Sequence, residues 1–171
     1  MKKPNVFFIF VDQCRLNALG YSGTPDVQTP NIDCLAKQSL TLAQVVSGWP
    51  VCSPDRTSLL TDQYPLTHGV FVNDVPIGSD AVGLGQAFAD GGYDTAYIGK
   101  WHVGGRGRSS YIPPEHRLGF EYWKVLECTH DYNRSAYYAN NSDVKQEWQG
   151  YDAFAQTRDA QEYMRHHNKE K

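Results

Sequence analysis

These 171 residues predict an α/β fold, a mainly parallel sheet with helices on both faces, on three observations. Residues 6–11 are apolar at every position and rich in β-branched and aromatic types, the pattern of a strand buried on both faces of a parallel sheet. Segments of strand and helix character then alternate along the chain, the order that layers helices on such a sheet. A hydrophobic content of 40% with 13% aromatic residues can supply the core of a layered domain.

Each element has its own local reason. After the strand at 6–11, Thr29-Pro30-Asn31-Ile32-Asp33 opens a helix, with Thr29 able to cap, Pro30 at the first helical position and Asp33 in the first turn. Residues 40–46 read as a second extended segment. Residues 54–63 form a helix whose first turn holds Pro54 and Asp55. Residues 81–90 form a helix stopped by Gly91-Gly92, and residues 93–98 a strand. From about residue 104 to 141 the mixture of Gly, Pro, Tyr, Trp and polar types predicts long ordered loops around one strand, Tyr122 to Leu126. Residues 151–167 form a last helix with Ala153, Thr157, Ala160 and Met164 on one stripe. No repeat, low-complexity stretch or linker divides the chain, so residues 1–171 belong to one domain.

Composition excludes several functions. A net charge of −3 and a pI near 6.0 give no polyanion-binding footprint, so no nucleic-acid partner is expected. Arg106-Gly107-Arg108 reads as a solvated loop. No apolar run approaches the roughly eighteen residues of a membrane helix. The run at 6–11 is too short for a signal core and ends in Asp12. These features place the expected protein in the cytoplasm, off the membrane. Cys14, Cys34, Cys52 and Cys128 lie far apart without a Cys-x-x-Cys pair, which argues against a zinc site and for reduced thiols.

Three loops carry the chemistry. In open α/β sheets, ligands sit outside the carboxyl ends of the strands. Asp12-Gln13 follows the first strand, and Lys100-Trp101-His102 follows the strand at 93–98. Cys52 stands at a helix N-terminus, where exposed N–H groups favour an anion, with Arg56 one turn further in. Taken singly, Asp12 reads equally well as a helix cap, His102 as a partly buried loop histidine and Cys52 as a small buried residue. Together they assemble oxygen ligands, an anion-binding helix end and cationic side chains.

The pattern Cys52-x-Pro54-x-Arg56, followed by a Thr57-Ser58-Leu59-Leu60-Thr61 helix and by Tyr64-Pro65-x-x-His68-Gly69, resembles the signature of the sulfatase family. Asn5-Val6, Thr29-Pro30-Asn31-Ile32-Asp33, Gly92-Tyr93 and Gly99-Lys100-Trp101-His102 fit the same template, nearly end to end. The resemblance implies that Cys52 is oxidised after translation to formylglycine, which hydrates to a geminal diol. It implies a Ca²⁺ or Mg²⁺ ion bound by Asp12, Gln13 and an oxygen of the modified Cys52. It also implies that Arg56 holds the diol, Lys100 contacts the sulfate and His102 hydrogen-bonds or protonates near the nucleophile. The partners would be a small-molecule or carbohydrate sulfate ester and a maturation enzyme that makes formylglycine.

Two positions depart from the pattern. Gln13 stands where many relatives carry aspartate, and Asp55 where serine is common. Ca²⁺ takes about six to eight oxygens, more than these three residues supply, and the resemblance implies that the remaining ligands lie further along, so the chain reads as the N-terminal part of one catalytic domain whose C-terminal part is absent. A phosphonate or phosphate ester hydrolase of the same superfamily and a truncated, non-catalytic remnant remain as alternatives. Tyr132, Tyr137, Tyr138 and Trp148 are candidates to stack on a substrate ring, or to pack locally.

Overall fold

A computed structural model describes residues 3–23 and 26–167. It divides into two compact units, the first ending at Val46 and the second beginning at Ser47.

The first unit holds two short 3-10 helices, Leu16–Ala18 and Gly20–Ser22, and one α-helix, α1 (Pro30–Gln38). Pro30 takes the first helical position, as expected, but Thr29 does not cap its own helix. Its hydroxyl accepts the Gly20 N–H at 2.8 Å and donates to Asp33 Oδ1 at 2.8 Å, and Asp33 in turn accepts the Tyr21 N–H at 2.9 Å. These two side chains therefore tie α1 to the preceding turn. A Cβ on Gly20 would lie 2.5 Å from Asp33 Oδ2, so that tie requires glycine. The strand expected at 6–11 is not formed, and those residues are exposed. A strand is held by ladder hydrogen bonds to neighbours, and the described residues of this unit form no sheet. The extended segment expected at 40–46 is broken by a turn at Ala43 and Gln44.

The second unit is built on a four-stranded sheet in the order β1 (Ala96–Lys100), β2 (Tyr122–Leu126), β3 (Ala136–Ala139) and β4 (Lys145–Glu147). β1 and β2 run parallel, with Lys100 opposite Leu126, while β3 and β4 continue the sheet antiparallel. The α/β class is borne out, and among the described residues parallel pairing is confined to β1 and β2. The helices are α2 (Cys52–Thr61), α3 (Pro65–His68), α4 (Leu84–Asp90) and α5 (Asp152–His166).

Alternation along β2 explains how both faces are covered. Trp123 and Val125 point into a core shared with Leu60 of α2, Trp101, Val103 and Ile112. Each large apolar side chain there contributes about 2–3 kcal/mol by leaving water. Tyr122 and Lys124 point the other way, toward α5: Tyr122 meets the Tyr163 ring at 4.6 Å, and Lys124 Nζ pairs with Asp159 at 2.7 Å. Trp148 Nε1 donates to the second oxygen of Asp159 at 2.7 Å. These polar anchors turn α5 away from the stripe expected for it. Ala155, Asp159 and Tyr163 face the sheet, while Ala153, Thr157 and Met164 are exposed.

The crossover from β1 to β2 is fixed by Arg117, only 1% exposed. Its guanidinium donates twice to the Ile112 carbonyl, at 3.0 and 2.9 Å, and lies 4.9 Å over the Trp123 ring. The path from α2 to β1 and from β1 to β2 therefore ends with Cys52 and Lys100 on well-packed elements.

Candidate active site

Cys52 is the first residue of α2, two residues earlier than the expected helix start. The helix end is held from outside. The Ser53 N–H donates to Asn73 Oδ1 at 2.9 Å, which satisfies one of the donors a helix leaves open at its start. Ser53 Oγ accepts the Asp74 N–H at 3.4 Å, and Asp74 sits in the left-handed region with φ 65°. Asp55, one of the two departures from the family pattern, accepts a hydrogen bond from Ser47 Oγ.

β1 extends two residues beyond its expected end and brings Lys100 to the last strand position. Gly99, just before it in the strand, has φ 115°, a backbone that other residues rarely adopt. Lys100 Nζ donates to Cys52 Sγ at 3.4 Å. Arg56, 5% exposed, reaches across from α2 and donates through Nη1 to the Lys100 carbonyl at 2.6 Å and to Tyr97 Oη at 3.4 Å. The Tyr97 hydroxyl donates to the same carbonyl at 2.9 Å. Arg56 thus locks the strand end that carries Lys100, a contact that residue spacing does not reveal.

His102 is 2% exposed with φ 59°. Its Nε2 lies 3.0 Å from Asp74 Oδ1, while its Nδ1 has no hydrogen-bond partner among the described residues. Arg108 Nη2 donates to the other Asp74 oxygen at 3.3 Å. The hydrogen bond from His102, with smaller help from Arg108, holds the Asp74 carboxyl below its ordinary range. Burial lowers the affinity of His102 for a proton more than Asp74 raises it, and the Lys100 charge lowers it further. The imidazole is therefore neutral at neutral pH. Next along the loop, the Gly104 and Gly105 N–H groups donate to Glu127 Oε1 at 2.6 and 2.9 Å. Burial pushes the Glu127 carboxyl up against these two donors, and its Oε2 has no partner among the described residues.

The structure puts Lys100 in contact with both Cys52 and Arg56, and His102 lies two residues further along the chain. Asp12 and Gln13 lie at an exposed turn of the first unit, Gln13 with φ 56°. Among the described residues no group of three or more His, Cys, Asp or Glu side chains could hold a metal ion. His68 is structural: Nδ1 accepts the Val70 N–H at 3.1 Å and Nε2 meets Ser58 Oγ at 3.0 Å.

Residue spacing alone missed Asn73, Asp74, Tyr97 and Glu127. Asn73-Asp74 between two hydrophobic runs was the available signal, because such pairs favour turns with positive φ. Of the four ring-stacking candidates, Tyr137 stacks on Trp148 at 4.5 Å, and Tyr138 is buried with its hydroxyl on the Ser109 carbonyl at 2.8 Å. Tyr132 is half exposed, beside His130.

At the start of α2, then, Cys52 has a lysine on its sulfur, and a buried arginine holds the carbonyl of that lysine. The Sulfatase family model matches residues 4–171. The chain is 48% identical over 162 residues to the ulvan-active sulfatase of Formosa agariphila, covering 95% of this chain and 32% of that protein. It is 33% identical over 134 residues to arylsulfatase A of Bos taurus, covering 75% of this chain and 26% of the relative. The crystal structure of yidJ from Bacteroides fragilis superposes with a TM-score of 0.89 at 28% identity, over 96% of this chain and 41% of that one. The chain belongs to the sulfatase family. It spans between a quarter and a third of the length of these curated relatives.

Proposed function

We propose that the protein containing this chain hydrolyses sulfate monoesters, with a formylglycine derived from Cys52 as nucleophile. The observation that carries this reading is Lys100 Nζ on Cys52 Sγ at the N-terminus of α2. There an ammonium and the positive end of a helix dipole meet at the reacting position, where a sulfuryl group would develop negative charge. Formylglycine supplies, when hydrated, two hydroxyls on one carbon, one to take up the sulfuryl group and the other to release it as sulfate. Lys100 binds the sulfate oxygens as a point charge. Arg56 holds Lys100 in place through its carbonyl and lends positive charge behind the nucleophile. His102, kept neutral by burial, accepts a proton at the reacting end.

A divalent cation fits the donor chemistry in part. Asp12 and Gln13 offer hard oxygens at one turn, but a cysteine thiol is a soft ligand. Conversion of Cys52 to formylglycine would replace sulfur by oxygen and make the three donors uniform. Asp12, Gln13 and the modified residue 52 would then hold Ca²⁺, or Mg²⁺, which supplies positive charge against the sulfate oxygens. The maturation enzyme would accept Asp55 in place of the commoner serine.

The names of two relatives, an ulvan-active sulfatase and an endo-4-O-sulfatase of Bacteroides thetaiotaomicron, support a sulfated carbohydrate as substrate. No helix among the described residues is long and apolar enough to cross a membrane. The test is turnover by the full-length protein with Ca²⁺ present. An aryl sulfate should be cleaved at least about a hundredfold faster, as kcat/KM, than the matching aryl phosphodiester, a difference of about 2.7 kcal/mol at the transition state. Removal of divalent ions should abolish the activity reversibly. Preference for the phosphodiester would favour phosphoryl transfer, and hydrolysis of neither would favour a non-catalytic chain.

A further inference from the structure

We propose that Asp74 is the positioning residue for His102, holding its imidazole as the Nε2–H tautomer with the Nδ1 lone pair left for the reaction. The role of His102 rests on the sulfatase reading, whereas the tautomer does not. An ionised carboxylate only accepts hydrogen bonds. The 3.0 Å contact between Asp74 Oδ1 and Nε2 therefore places the proton on Nε2 and leaves Nδ1 unprotonated.

His102 is 2% exposed, so its ring cannot trade this partner for water. Its Nδ1 is buried and unpaired among the described residues. An unpaired buried acceptor costs about 1–3 kcal/mol, which the fold repays only if that nitrogen meets a donor while the protein works. The donor that the reading supplies is a hydroxyl at the reacting position.

Asp74 is itself fixed from three directions. Arg108 holds its second oxygen at 3.3 Å, the Asp74 N–H rests on Ser53 Oγ at 3.4 Å, and its backbone is held at φ 65°. Ser53 directly follows Cys52, so one carboxylate connects the helix end that carries the nucleophile to the histidine loop. The charged groups acting on His102 are Asp74, Lys100 and Arg108, of which only Asp74 favours the imidazolium. Loss of the carboxylate should therefore make His102 harder to protonate.

The test uses the full-length protein and two readouts. Imidazole ¹⁵N shifts, assigned by comparison with His102→Gln, should show Nε2 protonated and Nδ1 bare in the parent, and a mixture or reversal in Asp74→Asn, whose amide can donate as well as accept. In turnover of an aryl sulfate, Asp74→Asn should lower kcat about 10- to 100-fold with KM within about twofold, by analogy with other partners that orient a histidine. The histidine-governed limb of the kcat profile should move to lower pH. In the His102→Gln background the same change should have little further effect on kcat. Protonation of Nδ1 in the parent protein would overturn the proposal whether or not the variant folds. So would an Asp74→Asn variant with the parental tautomer and pH profile. A parent with the Nε2–H tautomer but no sulfatase turnover would sink the functional reading and leave the role of Asp74 in orienting the ring intact.

Discussion

Replacement of Cys52 by serine is expected to lower sulfate ester hydrolysis by at least about a thousandfold and to leave sulfate covalently attached to the protein. Serine keeps an oxygen at the start of α2, within reach of the Lys100 ammonium that contacts Cys52 Sγ at 3.4 Å. Its Oγ can attack sulfur, forming an O–S bond as the bond to the substrate alcohol breaks and the proton passes to that alcohol. The product is a serine sulfate ester. With no second hydroxyl on the same carbon, nothing can expel sulfate, and the enzyme stops after one turnover. Intact-protein mass measurement after incubation with an aryl sulfate should find a single added sulfuryl group, absent from Cys52→Ala. Continued multiple turnover by Cys52→Ser would show that the position needs only an ordinary hydroxyl, and the formylglycine reading would fail.

Arg56→Ala should have the second largest effect, and on stability as well as activity. The guanidinium is 5% exposed and bonds both the Lys100 carbonyl and Tyr97 Oη. Its removal deletes a charge-assisted hydrogen bond to the part-buried Lys100 carbonyl and leaves a cavity between α2 and the end of β1, at a cost of about 2–4 kcal/mol. Tyr97 still donates to the Lys100 carbonyl at 2.9 Å, so the strand end should loosen rather than unravel. Even so, Lys100 would no longer be held against residue 52, and misplacement of a charged group by about 1 Å can cost about a hundredfold in rate. Arg56→Lys should recover part of the stability and little of the rate, since a lysine keeps the charge but its shorter side chain would not bring a donor to the place Nη1 occupies between the Lys100 carbonyl and Tyr97 Oη. Thermal unfolding and turnover of the two variants check this. Parental melting and parental kcat in Arg56→Ala would contradict the contacts described for it.

How far the sequence announced this arrangement depended on whether the signal was local. The turn types and capping preferences around α2, α4 and β1 fixed those elements to within a few residues, because Pro54, Gly91 and Gly92 act on their own neighbours. Cys52, Arg56 and Lys100 followed from a short motif and from the rule that loops at strand carboxyl ends carry sites. The stripe on α5 was misread because Asp159, a polar residue, faces the sheet to meet Lys124 and Trp148. Pattern reasoning sends polar residues outward and has no means of foreseeing such a pair. The strand expected at 6–11 illustrates the converse: apolar character states a need for neighbours, and only tertiary structure decides whether they are there. Asp74 and Glu127 escaped notice because their importance lies in what they accept, the His102 imidazole and the Gly104 and Gly105 amides, all distant along the chain.

Everything in this account turns on the chemical state of residue 52. Mass spectrometry of the peptide that carries it, prepared from the protein made in its native host, tests that state directly. The arrangement of Cys52, Lys100 and Arg56 predicts formylglycine at this position in a substantial fraction of molecules, with Asp55 tolerated by the maturation enzyme. An unmodified thiol in every molecule would contradict it.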